Sequence, residues 1–164
     1  RPRDWSSDVC SSDLILTAAA LVRLLCDVVA RNGNLLSGVG PDASGIVPDV
    51  QAAPMRGLGD WMRVHGAVIR AGRPWFDGPP LSERGAPRYL VVDGSVHALV
   101  DATDAPTVRL EGLRPGSCTS AHLLPEGGGL EVGHDGDAPA IRLPERRPDE
   151  PVHVIRLGPG AQAT

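Results

Sequence analysis

The sequence predicts an α/β segment of two helices and one strand, followed by an antiparallel β-sandwich. Three observations carry that prediction. Residues 17–31 hold an apolar stripe at helical spacing that stops at Asn32-Gly33. Residues 34–41 form a short apolar run ending in turn residues. Beyond residue 88, short apolar runs recur between Gly, Pro and Asp, as in a sheet of many hairpins.

In the first helix, Thr17 is placed to cap the free amides of the first turn, and Leu21, Leu24, Leu25, Val28 and Val29 form the core-facing stripe. Arg31 falls in the last turn, and Asn32-Gly33 supplies the left-handed stop. Asn34-Leu35-Leu36-Ser37-Gly38-Val39-Gly40-Pro41 then suits a strand buried on both faces. Pro48 opens a second helix, with Asp49 near its positive end. Val50, Pro54, Leu58, Trp61 and Met62 share one side of it, and its end is expected near Gly66 or Ile69. Pro54 fits only in the first turns or at a kink, and Gly57, Gly59 and Gly66 each weaken the helix by up to about 1 kcal/mol. Tertiary packing must therefore hold it.

Residues 76–87 contain Gly-Pro-Pro and Gly-Ala-Pro without a period, a linker composition. Runs 88–92 and 95–100 flank Asp93-Gly94, the pair that suits a two-residue type I′ hairpin. Further strands are expected at 107–110, 119–124, 130–132, 140–143 and 152–157. Residues 1–14 repeat Ser-Ser-Asp, show no period, and look like a translated sequencing adapter fused in frame, so they are set aside. The resulting division is a leader at 1–14, an α/β part at 15–75, a linker at 76–87, a sandwich at 88–158 and a disordered tail at 159–164.

Bulk properties exclude more than they assign. Lys plus Arg number 16 against 20 for Asp plus Glu, a net charge of −4, which leaves no basic footprint for nucleic acid. The longest apolar stretch, 15–30, is interrupted by Arg23 and Asp27 and is too short and polar for a membrane span. No secretion signal is visible, and localisation and oligomeric state stay open. Cys10, Cys26 and Cys118 have neither disulfide-framework nor zinc-like spacing, so the cysteines point to no metal site.

Several separated blocks carry a family resemblance. Asn32-Gly33-Asn34-Leu35-Leu36, Val39-Gly40-Pro41-Asp42-Ala43 with Gly45, Pro48 and Gln51, Leu58-Gly59-Asp60-Trp61, Gly66, Ile69 and Arg73-Pro74-Trp75 resemble the last barrel unit of α-L-fucosidases, glycoside hydrolase family 29. Ser37-Gly38 and His65-Gly66-Ala67 depart from the pattern common in that family. The resemblance implies that residues 15–75 are two helices and one strand of a (β/α) barrel, and that the following sandwich is the family's C-terminal domain. It implies a retaining exo-glycosidase that hydrolyses terminal α-L-fucosyl linkages without a cofactor, with a fucosylated glycan or glycoside as substrate of the intact enzyme. A retaining mechanism needs two carboxyl groups about 5 to 5.5 Å apart. The family's nucleophile and acid/base motifs are absent from this sequence, so no catalytic residue is assigned and the chain itself is expected to be inactive.

Asp42, after the expected strand, is read mainly as a cap on backbone amides, and with Gly38 at most as part of the rim of a substrate pocket. Gly38-Val39-Gly40-Pro41 imitates a dinucleotide fingerprint, but Pro41 removes an amide and the next helix starts too late. His134-Asp135-Gly136-Asp137 has alternate oxygens like a calcium loop, yet lacks the other ligands and reads better as a solvated hairpin turn. His65, His97, His122 and His153 are dispersed and form no evident nucleophile–base set. The alternative function is a non-catalytic carbohydrate-binding sandwich, for which 3% aromatic residues make a thin stacking platform. A lone barrel strand with two helices would leave apolar faces and edges open to association.

Overall fold

Thr17 caps the first helix as the sequence expects: its hydroxyl accepts the Ala20 amide at 3.2 Å and opens helix α1, Ala18–Ala30. The computed structural model describes residues 15–75, 86–102, 105–145 and 150–161. The leader at 1–14 and most of the linker, 76–85, lie outside the described residues. So do residues 162–164 of the tail, whereas Ala161 donates its amide to the Gly158 carbonyl at 3.4 Å.

The end of α1 is a Schellman motif. The Gly33 amide reaches the Val28 carbonyl at 2.8 Å and the Asn32 amide reaches Val29 at 3.0 Å, with Asn32 at φ 60°. Asn thus takes the left-handed position, and Gly33 sits close against the helix, where a Cβ would lie 3.0 Å from Val28 Cγ1 and Val28 would have to give by a few tenths of an ångström. The buried stripe is Leu21, Val22, Cys26 and Ala30, displaced from the predicted one, and Leu24 is exposed. The smaller Cys26 and Ala30 let the helix axis approach its neighbours closely, which a count of large apolar residues does not register.

The expected strand at 34–41 does not form. These residues have no regular structure, Leu36 is 95% exposed, and no partner strand lies beside them among the described residues. A strand takes its backbone hydrogen bonds from neighbours, so an apolar run with no neighbour has no ladder to join. Helix α2 follows at Asp49–Ala71, preceded by Pro48 at φ −59°. It runs on through Pro54 and outlasts the predicted end at Gly66 or Ile69. Its buried residues, Trp61, His65, Gly66, Val68 and Ile69, all lie in its second half, while Val50 is exposed. Among the described residues no helix is long and apolar enough to cross a membrane.

Among the described residues nine strands follow: β1 Arg73–Pro74, β2 Arg88–Val92, β3 Ser95–Asp101, β4 Thr107–Arg109, β5 Ala121–Leu124, β6 Gly128–Leu130, β7 Val132–Asp135, β8 Ala138–Arg142 and β9 Val152–Leu157. They form an antiparallel sheet in the order β1-β2-β3-β9-β5-β6 and a second in the order β4-β8-β7. Asp93 and Gly94 both have positive φ, 47° and 78°, as the predicted type I′ turn requires. The single strand expected at 130–132 is instead the end of β6 and the start of β7, which belong to different sheets. The chain changes sheet at Glu131, whose carbonyl accepts the Arg142 amide at 3.0 Å.

Two cores result, one on each face of the larger sheet. Val96, Ala98, Val100 and Ile155 meet Ile141 of the smaller sheet, with Leu110 and Leu113, in a β-sandwich. Leu90, Leu99, Val152 and Val154 meet Val22, Cys26, Trp61 and Ile69 of the helices. Strand alternation sends Ala98 to one core and its neighbour Leu99 to the other. The helices therefore cover the face of this sheet that the smaller sheet leaves open, and each large aliphatic side chain so buried contributes about 1.5–3 kcal/mol.

Candidate functional site

Gly38 and Asp42 lie in the exposed segment between the helices. The turn after Pro41 is built by Asp42 itself. Its Oδ1 accepts from the Ser44 amide at 2.8 Å, the Ser44 hydroxyl at 2.6 Å and the Ile46 amide at 3.1 Å, and its own amide donates to the Ile46 carbonyl at 2.8 Å. These hydrogen bonds, led by that of the Ser44 hydroxyl, hold the carboxyl below the usual carboxylate range. Gly45, at φ 84°, closes the turn. The carboxylate is occupied with local amides, as the capping role predicts.

The loop is clasped to α2 from the other side. Gly40 donates its amide to Gln51 Oε1 at 2.8 Å, and the Ser37 hydroxyl points at Met55 Sδ at 3.7 Å. Gly38 has open space around its Cβ position. A pyrophosphate cradle needs free, converging amides. Here the Gly40, Ser44 and Ile46 amides already have acceptors, which removes the dinucleotide reading.

The dispersed histidines do not all stay apart. His65 of α2 places Nε2 3.7 Å from Glu150 Oε1, and His153 of β9 places Nδ1 3.5 Å from the same oxygen. Trp61 packs on His65 with ring centroids 4.9 Å apart and donates its indole N–H to the Val152 carbonyl at 3.2 Å. His153 is 1% exposed and neither ring nitrogen has a hydrogen-bond partner. Sequence reasoning missed this cluster because its members come from elements far apart in the chain. The only local signal is the three-residue spacing of Glu150 and His153.

The remaining candidates are structural. His97 holds its own strand, Nδ1 3.1 Å from the Ser95 carbonyl, and His122 Nδ1 lies 3.4 Å from the Gly127 carbonyl. The 134–137 motif is the β7–β8 hairpin turn, with Gly136 at φ 61°. Among the described residues no group of three ligating side chains could hold a metal ion. Cys26 and Cys118 are free and buried, and burial above all pushes the Cys26 thiol up to about 12. Tyr89 and Trp61 are buried, and the Tyr89 hydroxyl donates to the Glu111 carbonyl at 3.1 Å. Neither can serve as a stacking platform for a sugar ring.

Comparison with known proteins gives a consistent result. The alpha-L-fucosidase family model matches residues 3–67, beginning inside the stretch set aside as a leader. An alpha-L-fucosidase of Branchiostoma floridae is 34% identical over 80 residues, 49% of this chain and 18% of its own length. The tissue alpha-L-fucosidase of Rattus norvegicus is 25% identical over 142 residues, 84% of this chain and 30% of its own. The crystal structure of the Thermotoga maritima alpha-fucosidase superposes with a TM-score of 0.75 at 25% identity, over 91% of this chain and 36% of the other. The chain thus spans 18% and 30% of the length of these two curated relatives, and 13% of others that it matches.

Proposed function

We propose that this chain is part of an α-L-fucosidase-type glycoside hydrolase, a retaining enzyme that removes terminal α-L-fucosyl groups from a fucosylated glycan or glycoside. The chain is similar to α-L-fucosidases in sequence and in fold, and one local observation ties that likeness to the residues. The clasp of Gly40 by Gln51 at 2.8 Å lies within the matched stretch and shapes the segment 38–42.

In this reading residues 15–75 are the last α/β unit of a (β/α) barrel, 76–87 is a linker and 88–158 is the C-terminal sandwich. The run 34–41 becomes a strand only when the preceding barrel strand supplies its ladder. Active sites of such barrels stand at the C-terminal ends of their strands, which puts Gly38 and Asp42 at the rim of the fucose pocket. Asp42 acts there by fixing the loop. The attacking carboxylate and the proton donor come from preceding barrel strands, so the chain alone has no turnover. A non-catalytic sugar-binding role has less support, because Tyr89 and Trp61 are turned inward.

The test is a chimera in which residues 15–161 replace the matching part of the Thermotoga maritima enzyme. It is expected to hydrolyse an aryl α-L-fucoside, whereas the isolated 164-residue chain does not. Asp42→Ala in the chimera is expected to lower kcat/KM by up to about a hundredfold through misplacement of the rim. A soluble, folded chimera without turnover would overturn the reading.

A further inference from the structure

Segment 38–42 is fixed at two neighbouring points. At the first, Gly40 donates its amide to Gln51 Oε1 at 2.8 Å. At the second, Asp42 Oδ1 accepts the Ser44 and Ile46 amides at 2.8 and 3.1 Å and the Ser44 hydroxyl at 2.6 Å. Pro41 alone lies between them, and its ring removes a backbone rotation that any other residue would leave. Whatever holds Gly40 therefore also places Asp42.

The two points have different effects. Asp42 accepts from its own turn, so the turn keeps its shape whatever happens at α2. Its place is another matter, because residues 34–41 have no regular structure and no ladder to hold them. Among the described residues, two hydrogen bonds tie this run to α2: Gly40 to Gln51, and the Ser37 hydroxyl to Met55 Sδ at 3.7 Å. A thioether sulfur is a weak acceptor, which leaves the carboxamide of Gln51 as the stronger tie. Gln51 and Met55 are four residues apart, so one face of the helix carries both. The Gly40 amide can only donate, so it needs the Gln51 carbonyl oxygen in particular. Nor is glycine at 40 there to make room, since nothing lies within 4 Å of its Cβ position.

We propose that Gln51 is a positioning residue: by holding Gly40 it sets, through Pro41, where the Asp42 turn stands on α2. It acts through the loop and not by contact with substrate. The consequence for catalysis rests on the reading of Gly38 and Asp42 as the rim of the fucose pocket, where Gln51 then sets the place of that rim. Pro41 has no amide to give to a strand ladder, so the clasp on Gly40 marks the point at which pairing stops and the turn begins.

The test compares Gln51→Ala, which removes the acceptor, with Gln51→Glu, which keeps an oxygen within reach of the amide. In the 164-residue chain, hydrogen exchange read by NMR should be about tenfold faster at the Gly40 amide in Gln51→Ala and back at the wild-type rate or slower in Gln51→Glu. The Ser44 and Ile46 amides, held by Asp42, should keep their rates in both variants. Their residual dipolar couplings should shrink in Gln51→Ala, because the turn then reorients against α2, while those of Trp61 and Val68 in the helix stay as they are. In the chimera with the Thermotoga maritima enzyme, Gln51→Ala should lower kcat/KM for an aryl α-L-fucoside about tenfold and Gln51→Glu should restore it.

Unchanged exchange at Gly40 in Gln51→Ala, a Gln51→Glu variant no better than Gln51→Ala, exchange at Ser44 and Ile46 that speeds up as much as at Gly40, or turn couplings that stay at their wild-type values would each overturn the assignment. So would an active chimera indifferent to Gln51→Ala. A wild-type chimera without turnover would count against the proposed function alone, since the exchange rates and couplings are read on the isolated chain and decide the role of Gln51 there.

Discussion

Asp27 of α1 and Arg88 of β2 meet at 2.6 Å, Oδ1 to Nε, and tie the first helix to the sheet across 61 residues of chain. Arg88 is 8% exposed and also donates to the Ala86 carbonyl at 3.0 Å, so its charge is almost fully enclosed by partners. Burial pushes the Asp27 carboxyl up, but hydrogen bonds from Arg88 and Arg31 outweigh it and hold it below 3.8. A depressed carboxylate contributes stability above its unfolded value and loses it as pH falls through the folded one. Asp27→Asn is expected to cost about 2 kcal/mol at neutral pH, read from urea midpoints, and to flatten the acid limb of the stability profile.

Two glycines of α2 separate helix propensity from packing. A Cβ on Gly57 would lie 2.5 Å from the Ala18 Cβ of α1, whereas Gly59 has open space. Gly59→Ala should stabilise by up to about 1 kcal/mol. Gly57→Ala should destabilise despite the same gain in propensity, because both helix backbones must part to admit the methyl group. Thermal melts of the two variants check the difference in sign.

The Asp42 turn is a local device on the surface. Asp42→Ala should speed hydrogen exchange of the Ser44 and Ile46 amides by about tenfold and leave the global midpoint unchanged. In the wild type the carboxyl titrates below its ordinary value of 3.8, so the same loosening should set in only at lower pH.

Leu36, 95% exposed, and Ile46, 65% exposed, have little to cover them. The chain is expected to self-associate through this segment as concentration rises. The double variant Leu36→Ser, Ile46→Ser should shift sedimentation towards the monomer without lowering the unfolding midpoint.

Features that depend on neighbours in sequence were legible. Thr17 caps α1, Asn32 turns left-handed, Asp93-Gly94 makes the hairpin, and Asp42 caps its own turn. Each is decided within a few residues. The run 34–41 departs from the strand that its composition suggests because strand formation is decided by partners elsewhere, and the composition is the same with or without them. Leu130 and Val132 read as one strand because no local signal marks Glu131 as the crossing between sheets. The helical stripe was displaced because Cys26 and Ala30 earn burial by being small. The meeting of His65, Glu150 and His153 is set by how α2 docks on β9, which no spacing in the sequence encodes.

The larger sheet has no idle side along β3. Substitution at Ala98 disturbs the sandwich, and substitution at Leu99 disturbs the helical layer. A paired enlargement and reduction across the Leu99 and Val154 register should compensate, whereas the same trade between Ala98 and Leu99 should not, even though those two are adjacent in the chain. Position along this strand thus sorts mutational effects into two independent audiences that alternate residue by residue.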